Sequence, residues 1–317
     1  MEYMLGTDEA GYGPNLGPLC IAASAWEIPD NFPVARLRQR LKAVICNKSS
    51  GESRVAIADS KQLYTSGGLK SLERSVLAVL AALNRAPQCW RDVWNLFDPE
   101  ALSQIDGQPW HDGFDESLPL ETNRESLAPI AAKLTLGCAR QQIRIADLQA
   151  SVLFPAAFNA AVNHCGNKAE VLSLTTLRLA RRVLSGLPPA NATVFCDKHG
   201  GRNRYAALLQ HVFPEELVVI GAEGPQLSVY RVKLESRTIE FRFQPKGERH
   251  LPTALASMTA KYLRELAMRP LNAFWRQHLP DLKPTAGYFT DAHRFLAEIT
   301  PTRERLAISP DLLWRVR

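Results

Sequence analysis

The sequence predicts an α/β fold in which helices flank a mixed β-sheet, with an acidic insertion and a helical C-terminal part. Two observations lead to this prediction. Short apolar segments typical of strands alternate with segments whose apolar residues recur at helical spacing. The chain of 317 residues is 46% hydrophobic and 22% charged, so it can bury a sizeable core. We expect one domain over 1–317, with the insertion at about 86–142 and the helical part at about 253–317.

Several segments have the composition of strands. They are 3–7, 16–26, 143–150, 192–196, 217–220, 228–233 and 238–244. A turn rich in glycine and proline joins the first two segments, which predicts a hairpin that opens the sheet. The last two segments are expected to form a second hairpin.

Helical patterning occurs between these strands. The expected helices are 69–83, 127–142, 168–184, 205–211 and 253–267. In the first of them, Leu69, Leu72 and Val76 recur at the spacing of one helical face. Asn167 is a candidate N-cap for the helix over 168–184.

Charge is unevenly distributed along the chain. The net charge of +6 is too small to establish a nucleic-acid partner. Residues 92–125, however, contain nine acidic residues and one basic residue, so this segment carries −8 and the rest of the chain +14. The segment is interpreted as a loop-rich, partly helical surface insertion, in which Trp94 and Trp110 pack rather than stack on bases.

Composition also indicates a compartment. The six cysteines include no C-x-x-C pair, so neither a zinc ribbon nor a disulfide framework is expected. The opening residues contain no basic n-region and no apolar h-region, so no signal peptide is expected. No apolar run reaches membrane-spanning length. We therefore expect a cytoplasmic protein.

Four acidic residues stand where predicted strands or turns end: Asp8, Glu9, Asp197 and Glu248. Carboxylates brought together repel one another unless a cation lies between them, and hard cations such as Mg²⁺ prefer oxygen ligands. Two metal ions about 4 Å apart can activate a water and stabilise a leaving oxygen in phosphodiester cleavage. Adjacent residues on a strand point to opposite faces, so Asp8 and Glu9 can share a site only if the strand ends or twists there.

Five short motifs follow one another along the chain. They are Gly6-Thr7-Asp8-Glu9-Ala10-Gly11-Tyr12-Gly13-Pro14, Asp59-Ser60-Lys61-Gln62-Leu63, Cys196-Asp197, Lys246-Gly247-Glu248 with Ser257-Met258-Thr259-Ala260-Lys261, and Gly287-Tyr288 with Thr290 and His293. In this order the set resembles the type 2 ribonucleases H, the HII/HIII family. Single short motifs are weak signals, whereas five in family order are strong.

The resemblance implies a ribonuclease H-like fold and a Mg²⁺- or Mn²⁺-dependent endonuclease, with a two-metal site. Such an enzyme cuts the RNA strand of RNA–DNA hybrids and leaves 3′-hydroxyl and 5′-phosphate ends. Carried over by position, the catalytic metal ligands are Asp8, Glu9, Asp197 and Glu248. The implied substrate contacts are the backbone of Gly11, Tyr12 and Gly13 near the 2′-hydroxyl, Tyr288 on the neighbouring sugar, and Lys61 and Lys261 near phosphates or the acids.

The sequence departs from the family pattern at two of these positions. Tyr12 stands where the family normally has Arg or Lys, so we expect weak cleavage at a single embedded ribonucleotide. Glu248 replaces the Asp of the HII type and is the HIII-type choice. Two alternatives stay open: a catalytically silent module that binds hybrid or other nucleic acid, and a related nuclease that acts on DNA structures.

Four further polar residues occur in or near these motifs: His199, Glu223, Asp291 and His293. Glu223 and Asp291 are reserve acids should Glu248 not serve. His199 is expected to have a structural role. His293 matches the family pattern, but packing or hydrogen bonding explains it as well as catalysis does.

Overall fold

The computed structural model describes residues 1–48, 53–234 and 236–316. Its strands are β1 (Glu2–Ala10), β2 (Leu19–Ile28), β3 (Ile45–Cys46), β4 (Val55–Ala56), β5 (Arg144–Leu153), β6 (Ala192–Cys196), β7 (Leu217–Ala222), β8 (Ser228–Leu234) and β9 (Arg237–Phe243). Its α-helices are α1 (Leu37–Arg40), α2 (Ser60–Ala82), α3 (Trp90–Phe97), α4 (Pro99–Ile105), α5 (Leu127–Ala139), α6 (Pro155–Cys165), α7 (Lys168–Ser185), α8 (Ala206–Val212), α9 (Leu251–His278) and α10 (Phe289–Arg305).

The main sheet has seven strands in the order β5-β2-β1-β6-β9-β8-β7. Strands β1 and β2 form the predicted antiparallel hairpin, and β8 and β9 form the second one. Strands β1, β6 and β9 run parallel to one another. The predicted mixed sheet flanked by helices is therefore confirmed, and the carboxyl ends of three neighbouring strands meet at one edge.

Side chains alternate across this sheet and fill a core on each face. On β1, Met4 packs into a cluster with α2, α5 and α9. Its neighbours Tyr3 and Leu5 point the other way, into a cluster with α6, α7 and α8. This two-residue period is the ordinary consequence of strand geometry.

Outside the acidic segment 92–125, three of the described helices were not predicted individually: α1, α6 and α10. The apolar residues of α6 are mostly alanines, which give little periodic signal, and α10 is rich in charged residues and contains Pro301. Helix α9 also extends to His278, well beyond the predicted end. Over the described residues, no helix combines the length and apolar character that a membrane crossing requires.

The acidic segment 92–125 packs against the body of the protein. Helices α3 and α4 contact β5, and Trp94 and Trp110 are buried, which confirms that these tryptophans pack. The buried carboxylate of Glu73 on α2 accepts hydrogen bonds from the backbone N–H groups of residues 120, 121 and 122, at 2.7, 2.8 and 2.9 Å. This buried acid thus fixes the end of the segment to the helix layer.

Helix α9 approaches β1 closely at Gly6. A Cβ atom on Gly6 would lie 2.0 Å from the backbone nitrogen of Thr253, a distance that no side chain tolerates. On the neighbouring strand β2, the Ser24 hydroxyl donates to the carbonyl of Pro252 at 2.8 Å. The first turn of α9 therefore rests directly on the sheet.

We expect Gly6→Ala to lower the free energy of unfolding by about 2–3 kcal/mol, because the methyl group must push α9 off the sheet. Gly13→Ala is the matched control, because a Cβ there meets no atom within 4 Å. Chemical denaturation of both variants measures the difference. Equal stability of the two variants would contradict the close approach.

Candidate active site

A cleft of about 430 Å³ opens where β1, β6 and β9 end. All ten site residues predicted from the sequence line it. They are Asp8, Glu9, Gly11, Tyr12, Gly13, Lys61, Asp197, Glu248, Lys261 and Tyr288. The structure therefore brings together residues that are up to 280 positions apart in the sequence.

Parallel pairing brings Asp8 and Asp197 to the same edge. Thr7 of β1 pairs with Cys196, the last residue of β6, and the residue that follows each of them in the chain is an aspartate that lines the cleft. Strand β1 ends at Ala10, one residue beyond Glu9. Because the cleft lies at this strand end, both Asp8 and Glu9 line it.

Glu248 reaches the cleft from the connection between β9 and α9. Lys246 adopts a left-handed conformation with φ of 60°, which turns the chain into a short 3₁₀ helix that carries Glu248. The Ser257 hydroxyl on α9 donates to Glu248 at 3.2 Å and is 2.9 Å from the Ser60 hydroxyl on α2. Ser257 also hydrogen bonds to Asp8. One hydroxyl therefore links the sheet and the two helices at the centre of the cleft.

The carboxylates perturb one another. Burial, together with the neighbouring Glu9 carboxylate, raises the pKa of Asp8 well above its usual range. Burial and the Asp197 carboxylate raise the pKa of Glu9 to about 7. Burial also raises the pKa of Asp197, although hydrogen bonds from backbone N–H groups oppose the shift. The poorly solvated cleft thus opposes ionisation of these carboxyls, and a cation bound between them would favour their charged forms.

Two predicted lysines are arranged differently in the cleft. The exposed Lys61 lies close enough to Glu9 and Asp197 to favour their charged forms. Lys261 forms an ion pair with Glu265 at 2.5 Å, and its ammonium lies 4.3 Å from the centre of the Tyr64 ring. Lys61 is therefore the better placed of the two to contact an anionic ligand in the cleft.

The glycine turn, residues 11–18, forms one wall. Gly11 has φ of 91°, and a Cβ there would lie 2.4 Å from the carbonyl of Pro18, so glycine is required. The ammonium of Lys168 lies 5.0 Å from the centre of the Tyr12 ring. On the rim, Tyr288 is 56% exposed. Backbone and aromatic surfaces thus face the acids across the cleft.

Two further residues that line the cleft, Ser257 and Arg264, and one that contacts Glu248 beside it, Asp59, were missing from the predicted site. Asp59 caps α2. Burial, followed by a hydrogen bond between the carboxyls of Glu248 and Asp59, raises the pKa of Glu248. Asp59 and Ser257 stand inside the quoted motifs, and Arg264 follows Lys261 by three positions on α9. Helical spacing could have indicated Arg264, because residues three apart share a face.

The other polar candidates lie elsewhere. His199 is buried against the Ser173 hydroxyl at 3.0 Å, in keeping with a structural role. Glu223 accepts from Tyr230 at 2.6 Å, and Asp291 forms an ion pair with Arg294. His293 packs between the rings of Phe289 and Trp314, with ring centres 4.6 and 4.8 Å away. None of these four residues lines the cleft.

The donor set suits a hard divalent cation. Asp8, Glu9, Asp197 and Glu248 offer carboxylate oxygens, the ligands that Mg²⁺ and Mn²⁺ prefer. As they stand, no three His, Cys, Asp or Glu side chains among residues 1–48, 53–234 and 236–316 form a ready coordination group. The carboxyl of Glu248 is instead engaged by Asp59 and Ser257. The residues present fit the ion in kind and location, since four acids share one cleft.

Comparisons with known proteins concern the fold. No protein-family profile and no curated protein matches the sequence. The structure is similar to ribonuclease H2 from Pyrococcus horikoshii OT3, at 14% identity over 98% of this chain and 92% of the other, with a TM-score of 0.49. It is also similar to RNase HII from Archaeoglobus fulgidus, solved in complex with PCNA, at 14% identity over 99% of this chain and 94% of the other, with a TM-score of 0.43. A third similar structure is Bst-RNase HIII in complex with Mn²⁺, at 13% identity over 99% of this chain and 66% of the other, with a TM-score of 0.42. Identities of 13–14% leave the chemistry to be inferred from the cleft itself.

Without metal, the cleft should make stability depend on pH. The folded-state pKa of Glu9, about 7, exceeds its ordinary value of 4.5, so its contribution to stability is complete below pH 4.5 and is lost as pH rises through 7. We expect Glu9→Gln to raise the free energy of unfolding at pH 8 by on the order of 2 kcal/mol, and to change it little at pH 4.

Denaturation in a chelator at both pH values measures this effect. The control is Glu125→Gln, at an exposed acid outside the cleft. A Glu9 variant that is less stable than wild type at pH 8 would show that the cleft does not repel this charge.

Proposed function

We propose that this protein is a divalent-metal-dependent endoribonuclease of the ribonuclease H type 2 class that cleaves the RNA strand of RNA–DNA hybrids. One observation carries the proposal: all ten residues that the sequence motifs single out line the same cleft. Four of them are acids, three form a glycine-containing turn, and the others are basic or aromatic. This combination serves phosphodiester hydrolysis and recognition of a sugar.

The proposed roles follow from position. Asp8, Glu9, Asp197 and Glu248 would hold Mg²⁺ or Mn²⁺, which when bound supplies Lewis acidity and activation of water. Ser257 orients two of these acids through hydrogen bonds to Asp8 and Glu248. The exposed ammonium of Lys61 offsets charge on the phosphate.

The glycine turn provides the means to distinguish RNA from DNA. Glycine lets the backbone approach a ligand closely, and the 2′-hydroxyl is the group that only RNA carries. Tyr288, exposed on the rim, would pack on the neighbouring sugar. The products are expected to carry 3′-hydroxyl and 5′-phosphate ends. We also place the enzyme in the cytoplasm, in keeping with six free cysteines.

Cleavage of a labelled RNA–DNA hybrid in Mg²⁺ or Mn²⁺ tests the activity. We expect wild type to cut the RNA strand, and Asp8→Asn and Asp197→Asn to lower the rate by about 10³-fold or more, because each removes a charged ligand. Asp281→Asn, at an exposed acid outside the cleft, should cut like wild type.

Other outcomes identify the alternatives. Wild type that binds hybrid in a salt-sensitive manner without cutting it would indicate the silent binding module. Cleavage of branched or flapped DNA, with hybrid left intact, would indicate a DNA-structure nuclease.

Tyr12 leads to a separate expectation about substrate. A phenol ring in place of a guanidinium or ammonium group removes a phosphate contact from the glycine turn. We expect a DNA duplex with one embedded ribonucleotide to be cut at least about tenfold more slowly than a continuous hybrid. Equal rates on the two substrates, compared at one enzyme concentration, would contradict this role of Tyr12.

A further inference from the structure

A segment that follows the motifs in the sequence pairs with the glycine turn on the side away from the cleft. Residues 310–316, here called the strap, form a β-bridge between Trp314 and Leu16. The backbone N–H of Arg315 donates to the carbonyl of Asn15 at 2.8 Å. The strap is itself held by Asn159 of α6, which donates to the Trp314 carbonyl at 2.9 Å and accepts from the Val316 N–H at 2.9 Å.

The side chain of Arg315 contacts the first residues of the turn. It is 2% exposed, stacks on Phe158 at 4.8 Å, and donates to the carbonyls of Gly11 and Pro14. A second buried arginine, Arg264, holds the far end of the turn. It donates to the carbonyls of Leu16 at 3.1 Å and Pro18 at 2.9 Å.

Neither guanidinium has an acidic partner within the described residues. Burial and the nearby Arg264 lower the pKa of Arg315 to about 9. Two of its nitrogens, Nε and one terminal nitrogen, are buried without a hydrogen-bond partner in the described structure. A buried cation that lacks a carboxylate is expensive for the fold, and here it is aimed at backbone oxygens of the turn.

Because the peptide unit is planar, fixing the Gly11 carbonyl also fixes the direction of the Tyr12 N–H. In a trans peptide, the carbonyl of one residue and the N–H of the next point in opposite directions. Arg315 lies behind the turn and does not line the cleft, whereas Gly11 and Tyr12 do. Holding the Gly11 carbonyl toward Arg315 therefore aims the Tyr12 N–H into the cleft. Among the residues described, nothing accepts from that N–H.

We propose that Arg315 is a positioning residue that fixes the Tyr12 N–H as a donor for the 2′-hydroxyl of the substrate, and so sets the preference for RNA over DNA. This inference rests on the function proposed above and assigns part of its specificity to a residue outside the cleft. It requires no change in the metal-binding acids.

The test compares Arg315→Met with wild type. Methionine keeps an unbranched apolar side chain against Phe158 but donates no hydrogen bond. The readout is binding without divalent metal, in a chelator, to an RNA–DNA hybrid and to a DNA duplex of the same sequence. Arg305→Met, at an exposed arginine, is the control for lost positive charge.

We expect Arg315→Met to weaken hybrid binding about tenfold while DNA-duplex binding stays within about twofold. Arg315→Lys should recover part of the preference, because an ammonium can still donate to one carbonyl. If the methionine variant does not fold, the binding preference of Arg315→Lys for hybrid over DNA duplex tests the proposal instead. In cleavage assays, KM for hybrid should rise more than kcat falls.

If Arg315 has a purely structural role, its replacement should lower the Tm and weaken binding to the hybrid and to the DNA duplex by equal factors. If wild type prefers hybrid and folded Arg315 variants keep that preference, the role of Arg315 is wrong and the proposed function stands. If wild type neither cuts nor prefers hybrid, both proposals are overturned.

Discussion

The contact between α9 and β1 at Gly6 is the constraint on which the candidate site depends. Because no side chain separates them, the helix backbone rests on the strand two residues before Asp8. One turn further along α9, Ser257 therefore reaches Asp8 and Glu248, and the next turn presents Lys261 to the same cleft. A helix separated from the sheet by a layer of side chains could not make these contacts with a side chain as short as serine. The close approach thus serves the cleft as well as the core.

The same geometry concentrates negative charge. Parallel register delivers Asp8 and Asp197 to one edge, and the left-handed turn at Lys246 adds Glu248. In a poorly solvated cleft these carboxylates oppose one another, so their charges are electrostatically unfavourable to the fold unless a cation offsets them. Ser257 partly relieves this by donating a hydrogen bond to Glu248, whereas the Asp59 carboxylate beside Glu248 adds to it. A bound divalent cation would relieve it far more, which makes metal affinity and fold stability two aspects of one arrangement.

Much of this could be predicted from the sequence, for physical reasons that differ between elements. The hairpin of β1 and β2 is encoded locally by two apolar runs and a Gly/Pro turn. The parallel strands β1 and β6 are indicated by short apolar runs with an acid at or directly after the end. Helix α6 was missed because alanines blur its periodicity. The role of the strap was missed because its contacts are with chain segments some 150 to 300 positions away in the sequence, which no local pattern records. Its buried arginine looks, in sequence, like any other basic residue.

That arginine bears on the unusual tyrosine of the glycine turn. A turn with Arg or Lys at position 12 would carry its own cation at the cleft wall, whereas Tyr12 carries none. In this chain the positive charges around the turn come from elsewhere: Arg264 and Arg315 lie buried beside it, and Lys168 lies over the Tyr12 ring. Buried cations act through a low dielectric, so the field of Arg315 reaches the cleft although its side chain does not line it, whereas Arg264 lines the cleft itself. Under the proposed function, the turn would thereby recognise the substrate by backbone donors, which suits a sugar hydroxyl better than a phosphate charge.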